Sequence, residues 1–172
     1  MSKQWENVVA REVYRNVSDV KAYRCGFSGS NAMPQPDVLL TEPHGDCHAI
    51  EAKGPLRDDT CYVPHDDVQQ LIACEGPATA VYLLVKFSRR KPLVVRYYDD
   101  ITGRDWDDKT AAEKFAVMIP ECFDARVTDS ETLALDKPPT ERWDSATTSP
   151  PDWQVVAQSC GIRTEQSTDL DV

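Results

Sequence analysis

The spacing of apolar residues over 1–98 predicts two helices and a set of short strands. Apolar side chains recur every three or four positions over 4–17 and over 65–75, as on one buried face of a helix. Short β-branched or apolar runs bounded by turn residues predict strands, and a polar loop is expected over 54–60. The predicted strands cover 20–25, 38–41, 47–50, 78–87 and 93–99. This order predicts an α/β fold with one sheet flanked by helices.

The remaining chain divides into an extension and a tail. Residues 99–137 contain an acidic loop, a short amphipathic helix and a possible strand pair, and we expect this extension to pack on a core formed by 1–98. Residues 138–172 are rich in Pro, Ser and Thr, a composition that does not easily form a packed core. We therefore expect a linker and a flexible acidic tail there, although 152–162 could instead dock as a short helix.

The strands predicted at 38–41 and 47–50 are joined by a loop that determines how they pair. The loop at 43–45 has the sequence Pro-His-Gly, which suits a three-residue hairpin because glycine readily takes a positive φ. If Glu42 closes the hairpin opposite Asp46, the numbers of facing residues sum to 88. A bulge in the loop would shift this pairing by one residue.

The pairing brings three charged side chains to one face of the sheet. Asp37 faces Glu51 at about 5 Å, and Lys53 lies on the same face about 7 Å further along its strand. Two facing carboxylates repel each other, whereas a divalent cation such as Mg²⁺ would accept both as ligands. Lys53 could then orient or deprotonate a water, or stabilise charge on a phosphorane. The alternative is an ordinary hairpin whose charges are solvated.

Short motifs follow one another in a characteristic order along 5–98. They are YRCGFSGS at 23–30, Pro-Asp at 36–37, IEAK at 50–53, YV at 62–63 and AVYLLVKF at 80–87. This series resembles the archaeal Holliday junction resolvases, within the PD-(D/E)XK nuclease superfamily. The resemblance implies a restriction-endonuclease-like α/β core, a mixed β-sheet flanked by helices. It also implies an endodeoxyribonuclease that acts on branched DNA as a homodimer, with Mg²⁺ as cofactor and Mn²⁺ able to substitute.

The resemblance also implies roles for individual residues. Asp37 and Glu51 would hold the metal ion together with a glutamate of the first helix, and Lys53 would assist the water or the transition state. Ser28 would lie near the scissile phosphate. The family's glutamine in the helix after Tyr-Val has no clean match, and Asp67 occupies the nearest position.

The first helix departs from the family's pattern. The family's glutamate directly precedes an arginine, whereas here Ala10 precedes Arg11 and the nearest carboxylates are Glu6 and Glu12. We favour Glu12 as the third metal ligand, because the local sequence ARE-V resembles the family's Arg-Glu-Leu. Glu6 remains the alternative.

The net charge of −10 belongs to the C-terminal part of the chain. Residues 1–98 hold 12 acidic and 12 basic residues, whereas 99–172 hold 17 acidic and 7 basic. A neutral core can still present a basic track to DNA phosphates. The candidates for that track are Arg11, Arg15, Lys21, Arg24, Arg57, Arg89, Arg90 and Lys91, with Ser30 beside them. For the run at 88–91, a solvated hairpin tip is the alternative.

The composition also bears on the compartment. The chain has no run of about 18 apolar residues and no signal-peptide pattern, so we expect a soluble cytoplasmic protein without a membrane segment. Asp outnumbers Glu 19 to 10 and only 8 of 19 basic residues are Lys, a composition that suggests a halophilic, high-salt cytoplasm. The six cysteines lack a CxxC pair and are expected to be reduced. A zinc site from Cys47, His48, Cys61 and His65 is an alternative.

Together with the facing carboxylates, the resemblance implies a Holliday junction resolvase that makes paired cuts at four-way junctions. The two symmetric scissile positions of such a junction suit a two-fold dimer. One alternative is a related nuclease acting on flaps, nicks or invading DNA. Another is a catalytically weak module that binds junctions without cutting them.

Overall fold

The computed structural model describes residues 2–16, 19–25, 35–88, 93–97, 109–119 and 123–137. In chain order the elements are α1 (Ser2–Asn16), β1 (Lys21–Arg24), β2 (Val38–Thr41), β3 (Cys47–Leu56), β4 (Thr60–Val63), α2 (His65–Ala73), β5 (Thr79–Phe87), β6 (Leu93–Arg96), α3 (Ala111–Met118), β7 (Ala125–Val127) and β8 (Leu133–Asp136). None of the helices in these ranges is long and apolar enough to cross a lipid bilayer.

The main sheet contains five strands in the order β1-β2-β3-β5-β6. β3 and β5 run parallel, because the chain between them crosses over through β4 and α2, and the other neighbouring strands are antiparallel. Helices pack on the two faces of this mixed sheet. The predicted α/β class, a mixed β-sheet flanked by helices, is therefore confirmed.

The β2–β3 hairpin has the register expected from its loop. Val38 faces Ile50 and Leu40 faces His48, so the numbers of facing residues sum to 88. The turn is closed where the Glu42 amide donates a hydrogen bond of 2.9 Å to the Asp46 carbonyl oxygen. Gly45 has a φ of 101°, which a residue with a side chain rarely adopts.

The face of the sheet that packs on α1 contains one hydrophobic cluster. Trp5, Val9 and Val13 form a stripe at helical spacing along α1, and they are buried against Ile50 and Leu84 of the sheet. Burial of each such side chain contributes about 1.5–3 kcal/mol. Because this stripe must face the sheet, it also determines which polar side chains of α1 point toward the strands.

The opposite face of the sheet packs on α2, α3 and a second sheet. α2 contributes Val68 and Leu71, α3 contributes Phe115, and β8 contributes Leu133 and Leu135. These side chains form one cluster with the alternate residues of β3, β5 and β6. The cluster fixes α2 beside β3, with the first turn of the helix close to the strand that carries Glu51.

The expectation of a single sheet is wrong. β4 leaves the main sheet and forms a three-stranded sheet in the order β4-β8-β7. β4 buries Cys61 and Val63 while Tyr62 is exposed, the alternation of a half-buried strand, and Cys61 faces Leu135. β4 is not among the strands predicted from the sequence, and its partner β8 lies more than seventy positions away along the chain.

The prediction of a polar loop over 54–60 is also wrong in part, because β3 continues to Leu56. Between Lys53 and Leu56 the pairing with β5 changes register, which marks a bulge. Gly54 lies in this bulge with a φ of 132°, and a Cβ atom there would overlap the carbonyl oxygen of Lys86. A glycine is therefore required immediately after Lys53.

Candidate active site

Asp37 and Glu51 lie opposite each other where β2 begins beside the middle of β3. The Asp37 amide donates to the Ile50 carbonyl oxygen at 3.0 Å, which continues the hairpin by one residue beyond β2. The Asp37 carboxylate accepts a hydrogen bond of 2.9 Å from the Ala52 amide, so it leans across onto β3. The carboxyl groups of Asp37 and Glu51 affect each other's ionisation. The facing pair predicted from the hairpin is present.

Burial and mutual repulsion make this pair of carboxyl groups difficult to ionise together. Glu51 is 8% exposed, and its burial, followed by the charge of Asp37, raises its pKa to about 8 against the opposing effect of Lys53. Burial also raises the pKa of Asp37, although the Ala52 amide and Lys53 oppose this. The metal-free pair therefore holds a proton near neutral pH.

Lys53 projects from the same face of β3 as Glu51, because side chains alternate along a strand. Its Nζ donates to Glu51 Oε1 at 2.8 Å and to Asp67 Oδ2 at 2.7 Å. Burial alone lowers the pKa of Lys53, but Glu51 and Asp67 together raise it above its ordinary value. Lys53 is therefore a cation held between the carboxyl groups of Glu51 and Asp67.

Asp67 belongs to the site, although its position in the sequence indicated only an imperfect match to the family's glutamine. It lies in the first turn of α2, which follows β4 directly. The buried side chains of Val68 and Leu71 dock the helix on the sheet, and the adjacent Asp67 then faces Lys53. Helical spacing predicted the buried face of α2, but only the position of the helix beside β3 reveals the ion pair.

Glu6 is the acidic residue of α1 that approaches this site. Its side chain is 11% exposed, and its carboxylate lies 3.6 Å from the Arg24 guanidinium of β1. Burial and then the charge of Asp37 raise the pKa of Glu6, whereas Arg24 and Lys53 lower it. Glu6 is thus electrostatically coupled to Asp37 and Lys53.

Glu12, which the sequence analysis favoured, pairs with Arg11 at 3.2 Å. Six positions along an α-helix place Glu12 about 120° around the axis from Glu6. Glu6 lies almost on the line of Val13, whose burial orients the helix. The orientation of α1 therefore favours Glu6 over Glu12 as the candidate ligand of this helix, and the choice between them stays a proposal. The buried stripe of α1, which is visible in the sequence, already pointed to Glu6.

The expected DNA-binding residues fall into two groups. Arg24 contacts Glu6 beside the carboxylate site, Arg11 pairs with Glu12, and Arg57 is exposed just after β3. Lys21 is exposed at the start of β1, and Arg15 belongs to α1. The remaining candidates lie outside the residues that the structure describes, as does the predicted catalytic serine: Ser28, Ser30, Arg89, Arg90 and Lys91. Their roles stay predictions.

A second group of possible ligands lies in the β2–β3 turn and is separate from the carboxylate pair. It consists of Glu42, His44 and Asp46. His44 Nε2 lies 3.0 Å from Asp46 Oδ2 and 3.4 Å from Glu42 Oε2, so these side chains already contact one another at the surface. Within the described ranges it is the one set of three such residues whose ligand atoms all lie within 4.8 Å of one another. The carboxylates of Glu6, Asp37 and Glu51 are not gathered that closely, and the alternative zinc site from Cys47, His48, Cys61 and His65 is not assembled.

The four cysteines in the described ranges are free, as expected for reduced thiols. Burial raises the pKa of Cys61 to about 11, with Lys53 opposing this. Burial also raises the pKa values of Cys25 and Cys74. These three thiols are therefore protonated at neutral pH and are poor nucleophiles.

The charges of the site match a divalent cation. Four carboxyl groups, from Glu6, Asp37, Glu51 and Asp67, are accompanied by the two cations Arg24 and Lys53. When all are ionised, four minus two leaves two uncompensated negative charges. One divalent ion would balance them, and an all-carboxylate set of oxygen donors suits Mg²⁺ or Mn²⁺ rather than a soft metal.

No family model matches this chain, and a search of curated proteins finds no significant match. Among solved structures, the chain is similar to the Holliday junction resolvase Hjc of the archaeal hyperthermophile Archaeoglobus fulgidus. The two proteins share 22% sequence identity, and the comparison covers 55% of this chain and 75% of the other, with a TM-score of 0.47. The neighbour is an archaeal Holliday junction resolvase, the family that the sequence motifs resemble, and the likeness is one of fold.

Proposed function

We propose that this protein is a metal-dependent endonuclease that hydrolyses phosphodiester bonds in branched DNA. The observation that carries the proposal is the facing pair of Asp37 and Glu51 with Lys53 on the same face. An ordinary solvated hairpin does not bury two mutually repelling carboxyl groups, because their burial costs stability. A site that binds a cation and a phosphate explains this cost.

Asp37, Glu51 and Glu6 would hold the divalent metal ion, which we infer to be Mg²⁺ with Mn²⁺ able to substitute. The bound ion would supply charge neutralisation and a water of lowered pKa for attack on phosphorus. Glu51 must lose its proton to act as a ligand, since carboxylates bind metals in the ionised form. Metal binding should therefore become tighter as the pH rises toward 8.

The other residues of the site would position the phosphate and the attacking water. Lys53 would orient the water or stabilise the negative charge that develops on the phosphate oxygens. Arg24, on β1 next to β2, would approach the scissile phosphate from the side of Glu6. Ser28 keeps its role near that phosphate as a proposal from the motif series.

The proposed substrate is a four-way DNA junction cut at two symmetric positions. The ordered series of motifs over 5–98 supports this choice. Two identical sites related by a two-fold axis would match the two scissile positions, so we propose a homodimer. The basic track defined from the sequence, from Arg11 to the run at 88–91, would contact the phosphates of the junction arms.

The function can be tested by incubating the purified full-length protein with labelled DNA of several forms. The panel contains a mobile four-way junction, flap, nicked, linear duplex and single-stranded DNA, with Mg²⁺, Mn²⁺ or EDTA at several salt concentrations. Paired cuts on the junction support the proposal. Single cuts on flaps or nicks would indicate a related nuclease with another substrate. Binding without cleavage under every metal and salt condition would indicate a junction-binding module.

A further inference from the structure

The ammonium group of Lys53 contacts two carboxyl groups, and in the proposed function one of them would also bind the metal ion. Its Nζ lies 2.8 Å from Glu51 Oε1 and 2.7 Å from Asp67 Oδ2. Glu51 is also a proposed metal ligand. A metal ion bound to Glu51 would compete with Lys53 for the same carboxylate. Its positive charge would also repel the lysine ammonium group.

Lys53 therefore needs a second anion if it is to stay in place when the metal binds. Its side chain is 21% exposed, so a loss of both partners would leave a largely buried ammonium group uncompensated. In the part of the chain that the structure describes, Asp67 is the one carboxylate besides Glu51 within 4 Å of Lys53 Nζ.

The position of Asp67 suits a fixed anionic partner. It lies in the first turn of α2, where the positive end of the helix dipole favours a carboxylate. The next residue, Val68, is buried in the core cluster together with Leu71, so the backbone that carries Asp67 is anchored. Asp66 lies in the same turn but is exposed.

We propose that Asp67 is a positioning residue that holds the Lys53 ammonium group toward the phosphate once a metal ion occupies Glu51. This role rests on the proposed function of the site. It makes the aspartate a specific requirement of this chain, because a neutral side chain at the same position would not balance the charge of Lys53. Asp67 itself need not touch the metal or the DNA.

The first test observes Lys53 directly and does not depend on cleavage. We would record the ¹⁵N–¹H signals of lysine ammonium groups near neutral pH and at low temperature, and assign Lys53 by the loss of its signal in Lys53→Met. The variants are Asp67→Asn, which keeps the shape but removes the charge, and Asp66→Asn as a matched control from the same helical turn. Mg²⁺ alone is the ligand.

The wild type and Asp66→Asn should keep a Lys53 signal when Mg²⁺ is added, because Asp67 still shields the ammonium protons from exchange with water. Asp67→Asn should lose the signal on addition of Mg²⁺. A Lys53 signal that remains equally sharp in Asp67→Asn with Mg²⁺ would overturn the assignment. This result is informative even if the wild type cleaves no DNA, in which case it is the proposed function that fails.

The second test separates positioning from metal binding in single-turnover cleavage of a four-way junction. Asp67→Asn should slow the cleavage step about 100-fold, the cost of a misplaced catalytic group, while the junction concentration required for binding changes little. In a Lys53→Met background, Asp67→Asn should slow cleavage no further, because Asp67 acts through Lys53. A further tenfold loss in that background would show that Asp67 acts on the metal instead.

Discussion

Replacement of Glu51 by glutamine should stabilise the metal-free protein at neutral pH. Burial and the charge of Asp37 raise the pKa of Glu51 from its ordinary value of 4.5 to about 8. Between these two pH values the folded state keeps a proton that the unfolded state has released. The folded state is thus favoured by acid, and its stability falls as the pH rises from about 4.5 to about 8.

The size of the effect follows from the same two values. A proton bound only in the folded state changes the free energy of unfolding by about 1.4 kcal/mol per pH unit. From pH 4.5 to pH 7 the wild type should therefore lose about 3 kcal/mol through Glu51. Glutamine has nearly the same shape and stays neutral, so Glu51→Gln should match the wild type near pH 4 and exceed it by about 3 kcal/mol at pH 7.

The assay is urea unfolding in EDTA across pH 4 to pH 8, repeated with saturating Mg²⁺. Glu12→Gln provides the control, because Glu12 lies on another face of α1 and pairs with Arg11. Mg²⁺ should stabilise the wild type but not Glu51→Gln, since the variant lacks a metal ligand. With saturating Mg²⁺ the wild type should therefore be the more stable of the two. The reasoning is refuted if Glu51→Gln is no more stable than the wild type at pH 7 in EDTA, or if the difference does not grow with pH.

Three further changes test other parts of the structure. Glu6→Gln should slow junction cleavage about tenfold or more, and Glu12→Gln should slow it much less. Deletion of 138–172 should leave a folded, active protein. The deleted part carries six acidic and two basic residues, so its loss removes negative charge that repels DNA. Junction binding should therefore tighten modestly at about 0.1 M salt and little at about 1 M, where the charge is screened. Gly54→Ala should lower the free energy of unfolding by about 2 kcal/mol, because its Cβ would overlap the Lys86 carbonyl oxygen.

The controls for these changes come from the same chain. Gly45→Ala also places alanine at a positive φ, but nothing lies within 4 Å of its Cβ, so it should cost only about 1 kcal/mol. Equal losses for the two glycine variants would contradict the overlap at Lys86. A stronger effect for Glu12→Gln than for Glu6→Gln would show that α1 presents its other face to the metal. Unfolding of the truncated protein would show that the tail belongs to the core.

The hairpin shows why part of the site is predictable from sequence. Its register depends on the length of a three-residue loop and on the alternation of side chains along each strand, and both are local features. The pairing of Asp37 with Glu51 therefore follows from counting residues outward from the loop. Lys53 follows from the same alternation.

The residues that the sequence analysis missed depend on how separate elements pack. Asp67 reaches Lys53 only because α2 docks beside β3, and β4 pairs with a strand more than seventy positions away. The position of Glu6 depends on packing, but the sequence contains a signal for it. The stripe of Trp5, Val9 and Val13 orients α1, and its helical spacing is visible in the sequence, where it favours Glu6 over Glu12.

The most direct measurement is single-turnover cleavage of a labelled four-way junction by the wild type and by Asp37→Asn, with junction binding followed in the same samples. With Mg²⁺ or Mn²⁺ the wild type should make paired cuts at symmetric positions, and EDTA should abolish them. Asp37→Asn should stay folded and bind the junction but make no cuts, because it lacks a carboxylate of the metal site. Cleavage by Asp37→Asn at the wild-type rate, or no cleavage by the wild type with either metal, would contradict the proposed catalytic site.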